Sequence, residues 1–289
     1  MKKRNRILNV FYIPALCLMI LFMVLPLING LRLSFFKWNG YSRNMTFNGL
    51  TNYISLLTDK NFRIAFGNTI LYGFGSMLLQ NILGLAYALF LNMKFKGRSI
   101  VRTFVYLPVM ISGLVMGYIL YFFVQYNHGI FNEILAIFSI APIDWMANGT
   151  RGKIIITLIN SWQFVGISMV IYLAGLQGIP AMYYEASALD GASAWKRFRY
   201  VTIPLLVPAM SSAVILNLIG GLKLNDVIIA MTNGGPALKT HSLSTYISNM
   251  YFSAEKAGYA SAVGVFMFLF ILVVSSIMNG FFRRKEVEY

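Results

Sequence analysis

Residues 175–205 read Gly175-Leu-Gln-Gly-Ile-Pro180-Ala-Met-Tyr-Tyr-Glu185-Ala-Ser-Ala-Leu-Asp190-Gly191-Ala-Ser-Ala-Trp195-Lys-Arg-Phe198-Arg-Tyr-Val-Thr-Ile-Pro204-Leu205. Pro180 suits the first turn of a helix. Residues 181–189 are good helix formers, and Gly191 supplies the backbone freedom for a sharp turn. Ser193 can cap a second short helix through Tyr200, and Pro204 opens the apolar run that follows. The pattern predicts a helix–turn–helix with Met182, Ala186 and Leu189 along one side.

On both sides of this stretch the chain is apolar enough to enter a bilayer. Of 289 residues 58% are hydrophobic and 11% charged, against roughly 45–50% and about 25% in soluble domains. A soluble enzyme is excluded on that balance. Six runs reach the roughly 20 residues that a helix needs to cross about 30 Å of hydrocarbon: 9–29, 68–91, 104–124, 154–174, 205–230 and 261–282. The first follows Lys2, Lys3, Arg4 and Arg6, as a signal peptide would. Its apolar part is longer than the usual h-region and no A-x-A-like site follows, so it reads as a retained span.

The excess of bases, 24 Lys and Arg against 9 acids, would suggest nucleic acid in a soluble protein. Their placement points elsewhere. Fourteen fall on the short segments 1–8, 92–103, 175–204 and 283–289: Lys2, Lys3, Arg4, Arg6, Lys94, Lys96, Arg98, Arg102, Lys196, Arg197, Arg199, Arg283, Arg284 and Lys285. Nine are spread over the much longer intervening segments. That asymmetry predicts both termini in the cytoplasm, with no nucleic-acid partner. The expected fold is an all-α integral membrane protein of six transmembrane helices, a single transmembrane domain over 1–289, with a cytoplasmic helix pair at 181–200.

Little else carries chemistry. Cys17 stands alone, and His128, His241 and nine scattered acids predict no metal centre. Gly149-Thr-Arg-Gly152-Lys153 has the wrong spacing for a phosphate-cradling loop and lacks its hydroxyl, so no ATPase signature is expected in this chain. Residues 129–140 have the look of a short interfacial helix, Gly234-Gly235-Pro236 marks a turn, and Gly113 with Gly117 forms a surface for close helix packing.

Polar residues inside spans are costly and therefore informative. The fourth span holds Asn160, Ser161, Trp162, Gln163 and Ser168, a mixture of amides, hydroxyls and a flat ring that suits a sugar. Asn160, Phe164 and Ile167 share one helical face; Asn217, Gly221 and Leu224 repeat that spacing in the fifth span. The other reading makes Asn160, Gln163 and Asn217 interhelical hydrogen bonds. Lys223 and Asp226 lie one turn apart near the outer end of the fifth span, where they could pair on one face, as a gate or as interfacial anchors.

Glu185, Ala186, Asp190, Gly191, Ala192 and Pro204, with Ser187 in place of a second alanine, resemble the EAA loop of binding-protein-dependent ABC importer permeases. Further fragments fit the carbohydrate-importer branch with maltose, multiple-sugar and glycerol-3-phosphate systems. They are Phe47-Asn-Gly-Leu-Thr-Asn52-Tyr53, Asn68-Thr69, Lys96-Gly97-Arg98 to Pro108, Thr232-Asn-Gly-Gly-Pro236 and Gly258-Tyr-Ala-Ser-Ala262. The resemblance covers almost the whole chain. It implies a type I importer permease in the inner membrane of a prokaryote, importing a sugar or, alternatively, glycerol-3-phosphate or another small polar solute. It also implies coupling to an ATPase through Glu185, Ala186, Ser187, Leu189, Asp190, Gly191, Ala192 and Phe198. The implied substrate path runs along Asn160, Gln163, Phe164, Ile167, Asn217, Gly221 and Leu224. The implied partners are a second homologous permease, two ATP-binding subunits that hold ATP and magnesium, and an extracytoplasmic solute-binding protein. The chain itself is expected to carry no cofactor. Without the motif, 181–200 reads equally as an amphipathic pair resting on lipid.

Overall fold

The computed structural model describes residues 12–286. The expected start of the first span at 9–11, the bases before it and residues 287–289 lie outside the described residues. In chain order the helices are α1 (Tyr12–Leu33), α2 (Thr51–Thr58), α3 (Lys60–Asn92), α4 (Arg98–Tyr106), α5 (Gly113–Val124), α6 (Ile130–Ile137) and α7 (Gly149–Gly178). They continue as α8 (Ala181–Leu189), α9 (Ala194–Leu205), α10 (Val207–Leu222), α11 (Asp226–Met231), α12 (Leu243–Ser248) and α13 (Ala257–Arg283).

Four of these, α1, α3, α7 and α13, are each long and apolar enough to cross a membrane. The third and fifth expected spans are broken rather than straight. α4 continues as a tighter turn, Leu107–Met110, and this continuous stretch meets α5 at 101° across Ile111 and Ser112, while α9 meets α10 at 67°. The second bend follows from Pro208, which cannot donate to the ladder and crowds the carbonyl four residues back. The expected span at 205–230 also ends early: α10 stops at Leu222, and Asp226 starts a separate helix.

The described residues form two compact units, one reaching to Lys60 and resumed over Tyr246–Leu269, the other covering Asn61–Thr245 and resumed from Phe270. In the first, two short antiparallel strands, β1 (Phe36–Lys37) and β2 (Thr46–Phe47), follow α1. Asn52 on α2 donates to the carbonyls of Ser34 and Phe36 at 2.8 and 3.0 Å. Asp59 accepts from the phenols of Tyr246 and Tyr259 at 2.7 and 2.6 Å.

The second unit is built on α3 and α7. They approach so closely that a Cβ on Gly84 would lie 2.3 Å from the Cβ of Ser168. Their seam, with α10, buries Ala88, Leu91, Met169, Tyr172, Leu173, Leu176, Leu206 and Ala213 in one cluster. A second cluster joins Tyr72, Val124, Ile156, Leu224, Val227, Ile228 and Met231. Gly117 on α5 packs against α11: an added Cβ would sit 2.6 Å from that of Ala230. The close-packing surface expected at Gly113 and Gly117 is thus used within the chain.

The connection 232–242, between α11 and α12, is tied down from the start of α3. Asn68 donates to the carbonyls of Lys239 and His241 at 2.8 and 2.9 Å, and Tyr72 donates to that of Thr240 at 2.8 Å. The backbone N–H of Leu243 donates to Thr69 at 2.7 Å. Residues quoted above as Asn68-Thr69 therefore clamp a segment 170 positions downstream.

His241 is buried at this clamp, and burial holds its imidazole below the ordinary histidine range. The unfolded chain takes up a proton as pH falls through about 6.5 and the folded chain only at lower pH, so this contribution to stability is complete above the first value and declines as pH falls below it. Thermal midpoints of wild type and His241→Gln in detergent are expected to differ less at about pH 5 than at about pH 7.5. A gap that stays constant across that range would contradict the assignment.

Candidate functional site

Two helix breaks lie side by side in the second unit. At the first, Ser112 is extended and caps α5, its hydroxyl accepting from the N–H of Val115 at 3.3 Å. The carbonyl of Ile111, released by the break, accepts from Gln163 Nε2 at 3.0 Å. The second break runs over Lys223, Leu224 and Asn225. There the Leu224 carbonyl accepts from Ser242 Oγ at 2.7 Å, while its N–H donates to Gly221 at 3.2 Å. Unpaired backbone groups are prohibitive in hydrocarbon; these side chains make both breaks tenable.

Beside the breaks lies a cavity of about 270 Å³. Its wall takes Asn160, Phe164 and Ile167 from α7, and Asn217 and Gly221 from α10. Leu224, Lys223, Asn225 and Asp226 come from the second break, with Gly113 at the first. Six of the seven expected path residues therefore meet around one space, together with both expected gate residues. Gln163 does not line it. Its amide is turned to the Ile111 carbonyl, and its work is to satisfy the broken helix.

Gln80 on α3 lines the cavity and was not foreseen. It is 1% exposed and donates to the backbone carbonyl of Asn160 at 3.0 Å. Its signal was available: a lone Gln inside an apolar span. Asn217 donates a short hydrogen bond to Ser168 Oγ, so its amide is already engaged. The Asn160 side-chain amide has no protein partner among the described residues, although Asn160 is buried. An amide with free donors and an acceptor, flanked by Phe164, is suited to a hydroxyl-bearing ring.

Lys223 and Asp226 do not pair. No ion pair joins them among the described residues, and the helix that would have set them on one face is interrupted between them. Asp226 instead opens α11, where a carboxylate suits the positive end of the dipole, and its Oδ1 accepts from Asn225 at 3.2 Å.

The helix pair at 181–200 forms as expected. Gly191 takes a left-handed φ of +71° between α8 and α9, and Ser193 caps α9 by accepting from the N–H of Lys196 at 3.4 Å. Tyr184 and Thr202 hydroxyls meet at 3.2 Å and fasten the pair to its own base. Leu189 is 90% exposed. Around it Glu185, Ala186, Asp190 and Gly191 are exposed, and Ser187 and Ala192 are half-buried. Phe198 is half-buried against Trp195, ring centroids 5.7 Å apart, so Trp195 presents the larger apolar surface there. An apolar tip so exposed marks a surface that a protein or membrane covers.

The family described as the binding-protein-dependent transport system inner membrane component matches residues 80–287. The trehalose/maltose transport system permease protein MalF of Thermococcus litoralis is 32% identical over 274 residues, 94% of this chain and 92% of its own length. The multiple sugar-binding transport system permease protein MsmF of Streptococcus mutans is 34% identical over 279 residues, 96% and 95% respectively. A solved bacterial alginate ABC transporter, in complex with a periplasmic protein bound to alginate pentasaccharide, contains a chain that superposes with TM-score 0.84. That chain is 25% identical, with 98% of this chain and 96% of that one covered.

The two amides in α7 should separate in a stability measurement. Gln163→Leu strands the Ile111 carbonyl and is expected to cost about 1–3 kcal/mol, the penalty of an unsatisfied buried group, read as a lower thermal midpoint in detergent. Asn160→Ala removes no protein hydrogen bond of its side chain and should move that midpoint much less. Equal losses in the two variants would contradict the division of roles.

Proposed function

The chain belongs to the binding-protein-dependent transport-system inner membrane components, and on that premise we propose that it is one permease subunit of an ATP-driven importer of sugars, oligosaccharides in particular. The observation that carries this is the cavity where Asn160 offers an unengaged amide beside Phe164, between two satisfied helix breaks. Relatives named for trehalose and maltose and for multiple sugars support the substrate class.

The chain forms half of a pathway as a single transmembrane domain, with both termini in the cytoplasm. A second homologous permease supplies the other half. An extracytoplasmic solute-binding protein delivers the sugar, as the periplasmic protein in the alginate transporter supports. Two ATP-binding subunits hold ATP and magnesium, and this chain carries no cofactor of its own. The helix pair at 181–200 docks on one of them: Leu189 and Trp195 bury apolar surface, and Glu185 and Asp190 meet bases of the partner. The fastening of Tyr184 to Thr202 passes closure of the ATPases to α9 and α10, and so to the wall that holds Asn217 and Gly221. Lys223 and Asp226 act at the outer gate, where the helix is already broken.

Importers of glycerol-3-phosphate or another small polar solute form a second reading. One observation favours it: Lys223 lines the cavity without an ion-pair partner among the described residues, and an ammonium there would attract a phosphate.

The assembled transporter, reconstituted with its binding protein, tests both. ATP hydrolysis is measured against a panel of neutral saccharides and phosphorylated polyols. A saccharide is expected to stimulate it, and Asn160→Ala to weaken the response by up to about tenfold, the worth of one hydrogen bond. Glu185→Ala should abolish uptake while the cavity still admits the sugar. Stimulation by phosphorylated polyols alone would establish the second reading, and no response to any saccharide would end the first.

A further inference from the structure

Between the second and third expected spans the chain carries four bases, Lys94, Lys96, Arg98 and Arg102, and no acid from Asn92 to Met110. All four are exposed, and none is ion-paired among the described residues. Arg98 and Arg102 stand one turn apart on α4. On its inner side α4 packs Val101 and Val105 against the α3–α7–α10 cluster. A third face carries Ile100, Phe104 and Leu107, all exposed, with Phe104 at 69%. The helix is thus amphipathic twice over, holding to the protein by one apolar edge and offering a second to whatever surrounds it.

The bend of 101° to α5 sets the orientation. If α5 runs across the membrane, α4 lies close to its plane, as an interfacial helix does. Ile100, Phe104 and Leu107 then face the acyl boundary, and the bases rise to the level of the headgroups.

We propose that α4 and the segment before it form a binding site for anionic phospholipid of the cytoplasmic leaflet. Arg98 and Arg102, with Lys94 and Lys96, hold the headgroup phosphates, and Ile100, Phe104 and Leu107 seat the acyl chains. Charge complementarity selects this occupant: a surface with four unpaired cations and no acid attracts anionic lipid, and the exposed apolar edge gives a lipid chain a place that a soluble polyanion would leave wet. The assignment to the cytoplasmic leaflet rests on the orientation proposed above; the lipid chemistry does not.

The purified full-length chain is exchanged into detergent with phosphatidylglycerol or phosphatidylcholine, and bound lipid is counted by native mass spectrometry. Wild type is expected to retain phosphatidylglycerol selectively. Arg98→Gln with Arg102→Gln should reduce that retention by about thirtyfold, from the strength of two bases near an anionic surface. Arg98→Lys with Arg102→Lys should keep most of it, and Arg283→Gln with Arg284→Gln should leave it unchanged. A spin label at Phe104→Cys, in a Cys17→Ser background, should be reached by oxygen rather than by a water-soluble nickel chelate in vesicles of the two lipids. Equal retention in the Arg98→Gln, Arg102→Gln chain would overturn the site. So would a label that is wet until ATP-binding subunits are added, which would make this face a protein interface. Because lipid is read directly, a failure of the sugar assignment leaves this result standing.

Discussion

A helix that stops inside hydrocarbon releases backbone groups that water cannot reach, and each must find a partner in the protein. The second unit of this chain depends on that constraint being met twice. Ser112 and Gln163 close the break before α5, and Ser242 closes the one before α11. Ser242 in turn is held where it is needed because Asn68, Thr69 and Tyr72 clamp the connection around it. Without these donors the Ile111 and Leu224 carbonyls would be left unpaired, at the cost of an unsatisfied buried group each.

The cavity is a consequence of the same arrangement. Backbone that leaves the helical path opens room beside it, and the amides that line the room are the chemistry a hydroxylated solute needs. One side chain cannot serve both ends: Gln163 is spent on the Ile111 carbonyl, whereas Asn160, about one turn earlier on α7, keeps its amide for the cavity. Gln80 supports that division by holding the Asn160 backbone carbonyl from α3. The helix pair at 181–200 leaves its apolar tip exposed, and its base is fastened at Thr202, on the helix that leads into the one carrying Asn217.

Much of this could be read from the amino-acid order. The apolar runs located every long helix to within several residues, and Pro180, Gly191 and Ser193 located the turn and cap of the helix pair. Helical spacing put Asn160, Phe164 and Ile167 on one face and Asn217, Gly221 and Leu224 on another; that the two faces line one path came from the resemblance to importer permeases. The breaks before α5 and α11 were not foreseen, although Pro108 and Ser112 lie in 104–124 and Lys223, Asn225 and Asp226 in 205–230, because both stretches were read as single apolar runs. Pro208 accounts locally for the bend into α10, but the breaks before α5 and α11 are satisfied by donors far away in sequence, Gln163 for Ile111 and Ser242 for Leu224, which local pattern cannot supply. Of the two readings of Gln163, path residue or interhelical hydrogen bond, the geometry supports the second; the break also separated Lys223 from Asp226, whose pairing on one face assumed unbroken helix. Gln80 and Trp195 carried legible signals, a polar residue in a span and a large ring on a polar loop, that went unused.

The central claim is that the transported sugar passes through the space between the two breaks. A cryo-electron microscopy structure of the assembled transporter, trapped with saccharide inside, addresses it directly. The sugar should be found with a hydroxyl within hydrogen-bond reach of the Asn160 side-chain amide, between α7 and the Gly221–Leu224 wall. A sugar bound elsewhere, with Asn160 packed against protein and this cavity closed, would contradict the account.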